Sequence, residues 1–164
     1  NTKGAVMKLA SMLKDANHPN VVVYDLARSD VSMVVAEAFR YNKLVLASST
    51  YNMDIFPHMK EFINHLTERN FQNRTVALIE NGSWAPTAAR VMKQMLEKCK
   101  NVKFAENEVK ILSALNSESR EKLYRSLNSK FNTLLCIGED KRTCKPMYSI
   151  KNKLNYYLLL DELF

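Results

Sequence analysis

The chain has 164 residues, 46% hydrophobic and 25% charged, with 24 Lys and Arg against 17 Asp and Glu. That length and apolar content suit one domain with a sizeable core and exclude a disordered chain. The net charge of +7 raises the question of a nucleic-acid or anionic-surface partner. However, Lys43, Lys60, Arg69, Arg74, Arg90, Lys93 and Lys103 are scattered among acids, with no block of five like charges. The surface therefore reads as mixed, and no nucleic-acid partner is expected. No apolar run approaches the roughly 18–20 residues that cross a bilayer, residues 156–160 being the longest candidate, so no membrane partner is expected either.

The first residues, Asn1-Thr2-Lys3-Gly4, carry no basic-then-apolar signal pattern, which predicts a cytoplasmic chain. The absence of an initiator Met reads as processing, or as a cut from something longer. Cys99, Cys136 and Cys144 are odd in number and lack a nearby His, so reduced thiols are expected rather than a disulfide framework, a zinc site or an iron–sulfur site. Only three histidines occur, His18, His58 and His65, and none is expected to bind metal.

In chain order, Val6, Leu9, Ala10 and Leu13 fall at i, i+3, i+4 and i+7, predicting an amphipathic helix over 5–14. His18-Pro19-Asn20 breaks it, and the β-branched run 21–24 follows as a strand. Ser29 or Asp30 caps a helix carrying Val31, Val34, Val35 and Ala38. Residues 43–47 form a continuous apolar run, as expected of a strand buried on both faces. After the polar stretch 48–54, Pro57 opens a helix with Met59, Phe62, Ile63 and Leu66. Residues 75–79 are the next buried strand and 80–85 a loop. Pro86 then opens a helix with Ala88, Val91, Met92, Met95, Leu96 and Cys99 on one face. Residues 102–111 hold one broken strand or two short ones, and Asn116 or Ser117 caps a last helix with Leu123 and Leu127. Residues 133–137 look like a strand, 139–153 are polar, and 156–164 are apolar again.

Strands alternating with helices predict an α/β fold of three layers, a parallel sheet with helices on both faces. Such sheets bind ligands at the C-terminal ends of their strands, which directs attention to loops 48–56 and 80–85 and to residues 1–2. These suit a flat aromatic ligand with a phosphate. Asn1-Thr2 before a helix offers an amide, a hydroxyl and backbone N–H groups at a positive dipole end. Ser48-Ser49-Thr50-Tyr51-Asn52 leaves a strand with five polar-capable side chains. Asn81-Gly82-Ser83-Trp84 gives a small-residue turn and then the only tryptophan, a planar stacking surface.

Asn1-Thr2, the run 48–52 with Phe56-Pro57, and the run 79–89 from Ile79-Glu80-Asn81-Gly82-Ser83-Trp84 to Ala88-Ala89 resemble the flavodoxin-like domain of the flavodiiron (A-type) flavoproteins. The segments 66–74 and 110–115 also look like that family, and the resemblance covers roughly 1–127. It implies a flavodoxin-like domain over 1–130, truncated at its N-terminal side, with 131–164 an unassigned C-terminal segment. It further implies FMN held without a covalent bond and electrons passed to a di-iron centre in a metallo-β-lactamase-like domain that reduces oxygen or nitric oxide. By position, Asn1 and Thr2 would hold the phosphate, and Thr50, Tyr51 and Asn52 would lie against the ring and ribityl chain. Asn81 and Gly82 would contact the ring edge through their backbone and Trp84 would flank the ring, with Ser49 and Ser83 belonging to the same loops. Rubredoxin or a flavin reductase as electron donor, and a homodimer, are implied by the resemblance alone.

The sequence departs from the pattern in several ways. The family's first strand, central in the order 2-1-3-4-5, would lie upstream of Asn1, and its loss would disrupt both the sheet and the phosphate site. Either 133–137 or 157–160 could fill that position from the C-terminal side, with Gly138-Glu139-Asp140 replacing part of the phosphate loop. Ser48-Ser49-Thr50 stands for the usual Ser-Pro-Thr, no di-iron ligand run is present, and the charge is basic where free flavodoxins are acidic. A flavin-free α/β scaffold is the alternative reading. A phosphoacceptor receiver is discounted because Ala47-Ser48 supplies no Asp at the strand end. Hydrolase and nucleotide-triphosphate readings lack a Gly-x-Ser-x-Gly elbow and a Walker lysine.

Overall fold

The computed structural model describes residues 1–15, 21–83, 85–106, 108–112, 116, 119 and 121, and the backbone of 156–161. The elements in chain order are α1 (Thr2–Asp15), β1 (Val21–Asp25), α2 (Val31–Arg40), β2 (Lys43–Tyr51), β3 (Asp54–Ile55), α3 (Pro57–Glu68), β4 (Thr75–Gly82), α4 (Ala88–Leu96), β5 (Lys103–Phe104), β6 (Val109–Leu112) and β7 (Tyr156–Asp161).

The strands alternate their side chains between two cores, as the period of two requires. Val21, Val23, Val45, Ala47, Ala77 and Ile79 meet Ala5, Val6, Leu9, Ala10 and Leu13 of α1, together with Val109 and Ile111 of β6. Val22, Tyr24, Leu44, Leu46, Val76 and Leu78 meet α2, α3 and α4 through Val34, Val35, Ala38, Met59, Phe62, Ile63, Leu66, Met92 and Leu96. Helices therefore cover both faces of a sheet whose principal pairings are parallel, and the three-layer α/β architecture expected from the sequence is present.

The sheet runs β1-β7-β2-β4-β5, with β6 also on β4 and β3 folded back on β2. The central place is filled from the C-terminal side, by one of the two segments the sequence offers for it. β7, from the end of the chain, lies parallel between β1 and β2, pairing Val21 and Lys43 with Tyr156 and ending with Asp161 beside Ser48. Counted by position, β7 takes the first-strand place in the doubly wound order 2-1-3-4-5. It includes the 157–160 run singled out in the sequence. Residues 133–137 and Gly138-Glu139-Asp140 lie outside the described residues, as does the breaker His18-Pro19-Asn20.

The element boundaries also need correction. β2 does not end at Ala47 but continues through the polar stretch to Tyr51, and β4 continues through Glu80 to Gly82. The two polar ends pair with each other, Ser48 with Glu80 and Ser49 with Asn81, so backbone pairing extends each strand past its apolar run. Asp30 is the cap of α2, its Oδ1 accepting from Ser32 and Met33 N–H. α4 begins at Ala88, two residues after Pro86, and stops before Cys99. The region 102–111 resolves into two short strands, β5 and β6. Asn116 and Ser119 form a reciprocal capping pair: Asn116 Oδ1 accepts Ser119 N–H and Ser119 Oγ accepts Asn116 N–H.

Candidate functional site

The C-terminal ends of β2 and β4 lie side by side, and α1 begins over them. Thr2, its first residue, is 1% exposed. Its Oγ1 lies 3.1 Å from Ser49 Oγ and accepts a hydrogen bond from Asn81 Nδ2 at 3.0 Å. Three residues 47 and 79 positions apart in sequence thus form one polar cluster at a helix N-terminus. Asn81 is 9% exposed, and its Oδ1 is buried with no hydrogen-bond partner among the described residues. Ala5 N–H donates to Asn1 O, so the N–H groups of residues 2–4 precede the helical ladder, and no acid lies in that first turn.

The N-terminus of α4 is arranged differently. Thr50 Oγ1 accepts the N–H groups of Thr87 at 2.9 Å and Ala88 at 3.2 Å. Glu80, buried, accepts Ala89 N–H through Oε2 at 3.0 Å, and its Oε1 lies 3.4 Å from Lys110 Nζ. Side chains from two strands thus satisfy this helix start, and α2 is capped by its own Asp30. α1 is the helix whose start faces the polar cluster.

Beyond Thr50 the chain turns back on itself. Tyr51 pairs with Asp54 across a two-residue turn whose central residues, Asn52 and Met53, have φ of 51° and 63°. Positive φ at both positions is the I′ turn that matches strand twist, and Met is an unusual occupant of it. Thr87 Oγ1 donates to Met53 O, pinning the tip to the start of α4. Tyr51 and Met53 are exposed, with Tyr51 edge-on to Phe56 at 5.5 Å. At the end of β4, a Cβ on Gly82 would come within 2.9 Å of Pro86 Cα and Cβ, so only glycine fits that approach.

Of the residues singled out in the sequence, Thr2, Ser49 and Asn81 come together. Thr50 lies in the same strand end but caps α4, and Tyr51 and Asn52 lie on the exposed hairpin. Asn1 and Ser83 are exposed, and Gly82 is half-buried. Trp84 lies outside the described residues. The role of Glu80 is one that sequence reasoning misses; its signal is an acid directly after an apolar strand run and a few residues before a helix start. A groove of about 550 Å³ runs between the hairpin and α3. It shares only Tyr51 and Asn52 with these residues, and is otherwise lined by side chains such as Asp54, Lys60, Glu61 and His65. Among the described residues no three His, Cys, Asp or Glu side chains gather as a metal site, and no helix is long and apolar enough to cross a membrane.

No protein-family model matches the chain, and no curated protein matches it. Solved structures do. Rubredoxin oxygen:oxidoreductase from the anaerobe Desulfovibrio gigas superposes with a TM-score of 0.54 at 16% identity, over 70% of this chain and 35% of that one. A flavodoxin from the domain Archaea superposes with a TM-score of 0.61 at 16% identity, over 82% of this chain and 91% of that one. The chain thus spans about a third of the length of the first of these proteins. The likeness establishes the fold, which is α/β and flavodoxin-like.

Proposed function

We propose that this chain binds FMN at the C-terminal edge of its sheet and serves as an electron-transfer unit. The observation that carries the reading is the Thr2–Ser49–Asn81 cluster at the start of α1. The donor set fits the group: hydroxyls and first-turn N–H groups suit a phosphate, and the unpartnered Asn81 Oδ1 suits a hydroxyl of the ribityl chain. Thr2 and Asn1 would hold the phosphate, Ser49 and Asn81 the chain, and the hairpin residues Tyr51 and Asn52 the ring, with Gly82, Ser83 and Trp84 on its other side. Thr50 acts indirectly, holding the start of α4 against the hairpin.

Bound FMN would supply reversible one- and two-electron chemistry. The chain's own part is to orient the ring, shield it from water on the sheet side and keep the phosphate at α1. In this reading the chain works with a di-iron, metallo-β-lactamase-like domain and takes electrons from a rubredoxin or a flavin reductase, as a homodimer in the cytoplasm. The resemblance of the runs 48–52 and 79–89 to the flavodiiron flavoproteins supports that assignment, as does the likeness to a rubredoxin oxygen:oxidoreductase.

One observation favours the flavin-free scaffold instead: Thr2, Ser49 and Asn81 already hydrogen-bond one another without a ligand. Titration of FMN with the purified chain separates the two readings. Quenched flavin fluorescence with a shifted visible spectrum, weakened by Trp84→Ala, is expected for the electron-transfer unit. Unchanged flavin fluorescence at saturating protein identifies the scaffold.

A further inference from the structure

The hydrogen bonds around Asn81 have a direction. Its Nδ2 donates to Thr2 Oγ1, so the Thr2 hydroxyl proton is left to point at Ser49 Oγ or outward. A hydrogen bond donated by Thr2 to Ser49 Oγ leaves the Ser49 hydroxyl proton to point outward in turn. The chain Asn81–Thr2–Ser49 therefore ends in an outward donor next to the start of α1, which calls for an anionic acceptor. The other end of the same carboxamide, Oδ1, is a buried acceptor without a partner. A buried acceptor left unsatisfied is costly, and only a donor relieves it. A bare phosphate dianion presents no donor; a phosphorylated polyol presents both groups at once.

We propose that Asn81 is the specificity-determining residue of this site, its Oδ1 reading a polyol hydroxyl while its Nδ2 aims the hydroxyls of Thr2 and Ser49 at the phosphate. This rests on the FMN reading above and adds to it the joint action of the two ends of the Asn81 carboxamide, where the family resemblance implies only backbone contacts. Asn81 then links the two ends of the ligand through one side chain that joins β4 to α1.

The test compares lumiflavin (ring alone), riboflavin (ring and polyol) and FMN (ring, polyol and phosphate) by fluorescence titration of the whole chain. Asn81→Leu removes both functions. It is expected to reduce the riboflavin-over-lumiflavin preference by about tenfold, the scale of one buried hydrogen bond, with lumiflavin itself little changed. Asn81→Asp keeps the acceptor but loses the donor and adds a charge. It is expected to preserve riboflavin binding and weaken FMN by more than about tenfold. Circular dichroism and a thermal melt check that each variant is folded. Equal weakening of all three ligands, or unchanged preferences, overturns the role of Asn81 while leaving the FMN reading standing. A wild-type chain that binds none of the three flavins overturns both.

Discussion

Single residues at the strand ends hold the site in shape, and each has a measurable consequence. Gly82 passes Pro86 so closely that a methyl group must displace backbone. Gly82→Ala is therefore expected to lower stability by about 1–3 kcal/mol, read from urea unfolding. Thr50 satisfies two N–H groups at the start of α4, so Thr50→Val should cost about 1–2 kcal/mol and Thr50→Ser much less. At the opposite edge of the sheet, Lys43 is 8% exposed, and burial pushes its ammonium down from the ordinary 10.5 to about 8. Between those values the unfolded chain binds more protons than the folded one. Stability from Lys43 should accordingly rise as pH goes from about 8 to 10.5, and the full burial cost applies below about 8. Urea midpoints across that range should show the rise in the wild type and lose it in Lys43→Met.

Among the elements, helices were the most legible, because a buried stripe at helical spacing is a local signal. Val6, Leu9, Ala10 and Leu13 mark α1, and Met59, Phe62, Ile63 and Leu66 mark α3 behind its first-turn proline. Strand ends were less legible for a physical reason. Ser48 to Tyr51 and Glu80 to Gly82 look like loops by composition, yet they pair with one another across the sheet. Partner choice is not written in either segment alone. The same limit applies to the site: Thr2, Ser49 and Asn81 were each identifiable as polar residues at element ends, but the hydrogen bonds joining them span 47 and 79 residues of sequence. That Thr50 serves a helix start could not be read from its strand. The pairing of Glu80 with both Ala89 N–H and Lys110 was equally hidden.

The arrangement of the whole molecule depends on β7. The sequence offered two apolar segments for the central place and no local signal to choose between them, because both are short and their pairing partners are distant. The structure puts Tyr156–Asp161 there, with Leu158 in register with both Val23 and Val45. A central strand cannot give up ladder N–H groups, so Leu158→Pro should lower stability by at least about 3 kcal/mol. An unchanged urea midpoint would remove β7 from the sheet. This strand also sets the location of the site: its last residue lies beside Ser48, at the edge where α1 begins.

The most direct test of FMN binding at that edge is amide hydrogen exchange of the whole chain with and without saturating FMN. FMN bound there slows exchange at residues 2–5, 48–52 and 81–83, with no change at the opposite edge around residues 73–75 and 100–103. Protection confined to that opposite edge, or none anywhere, would contradict it.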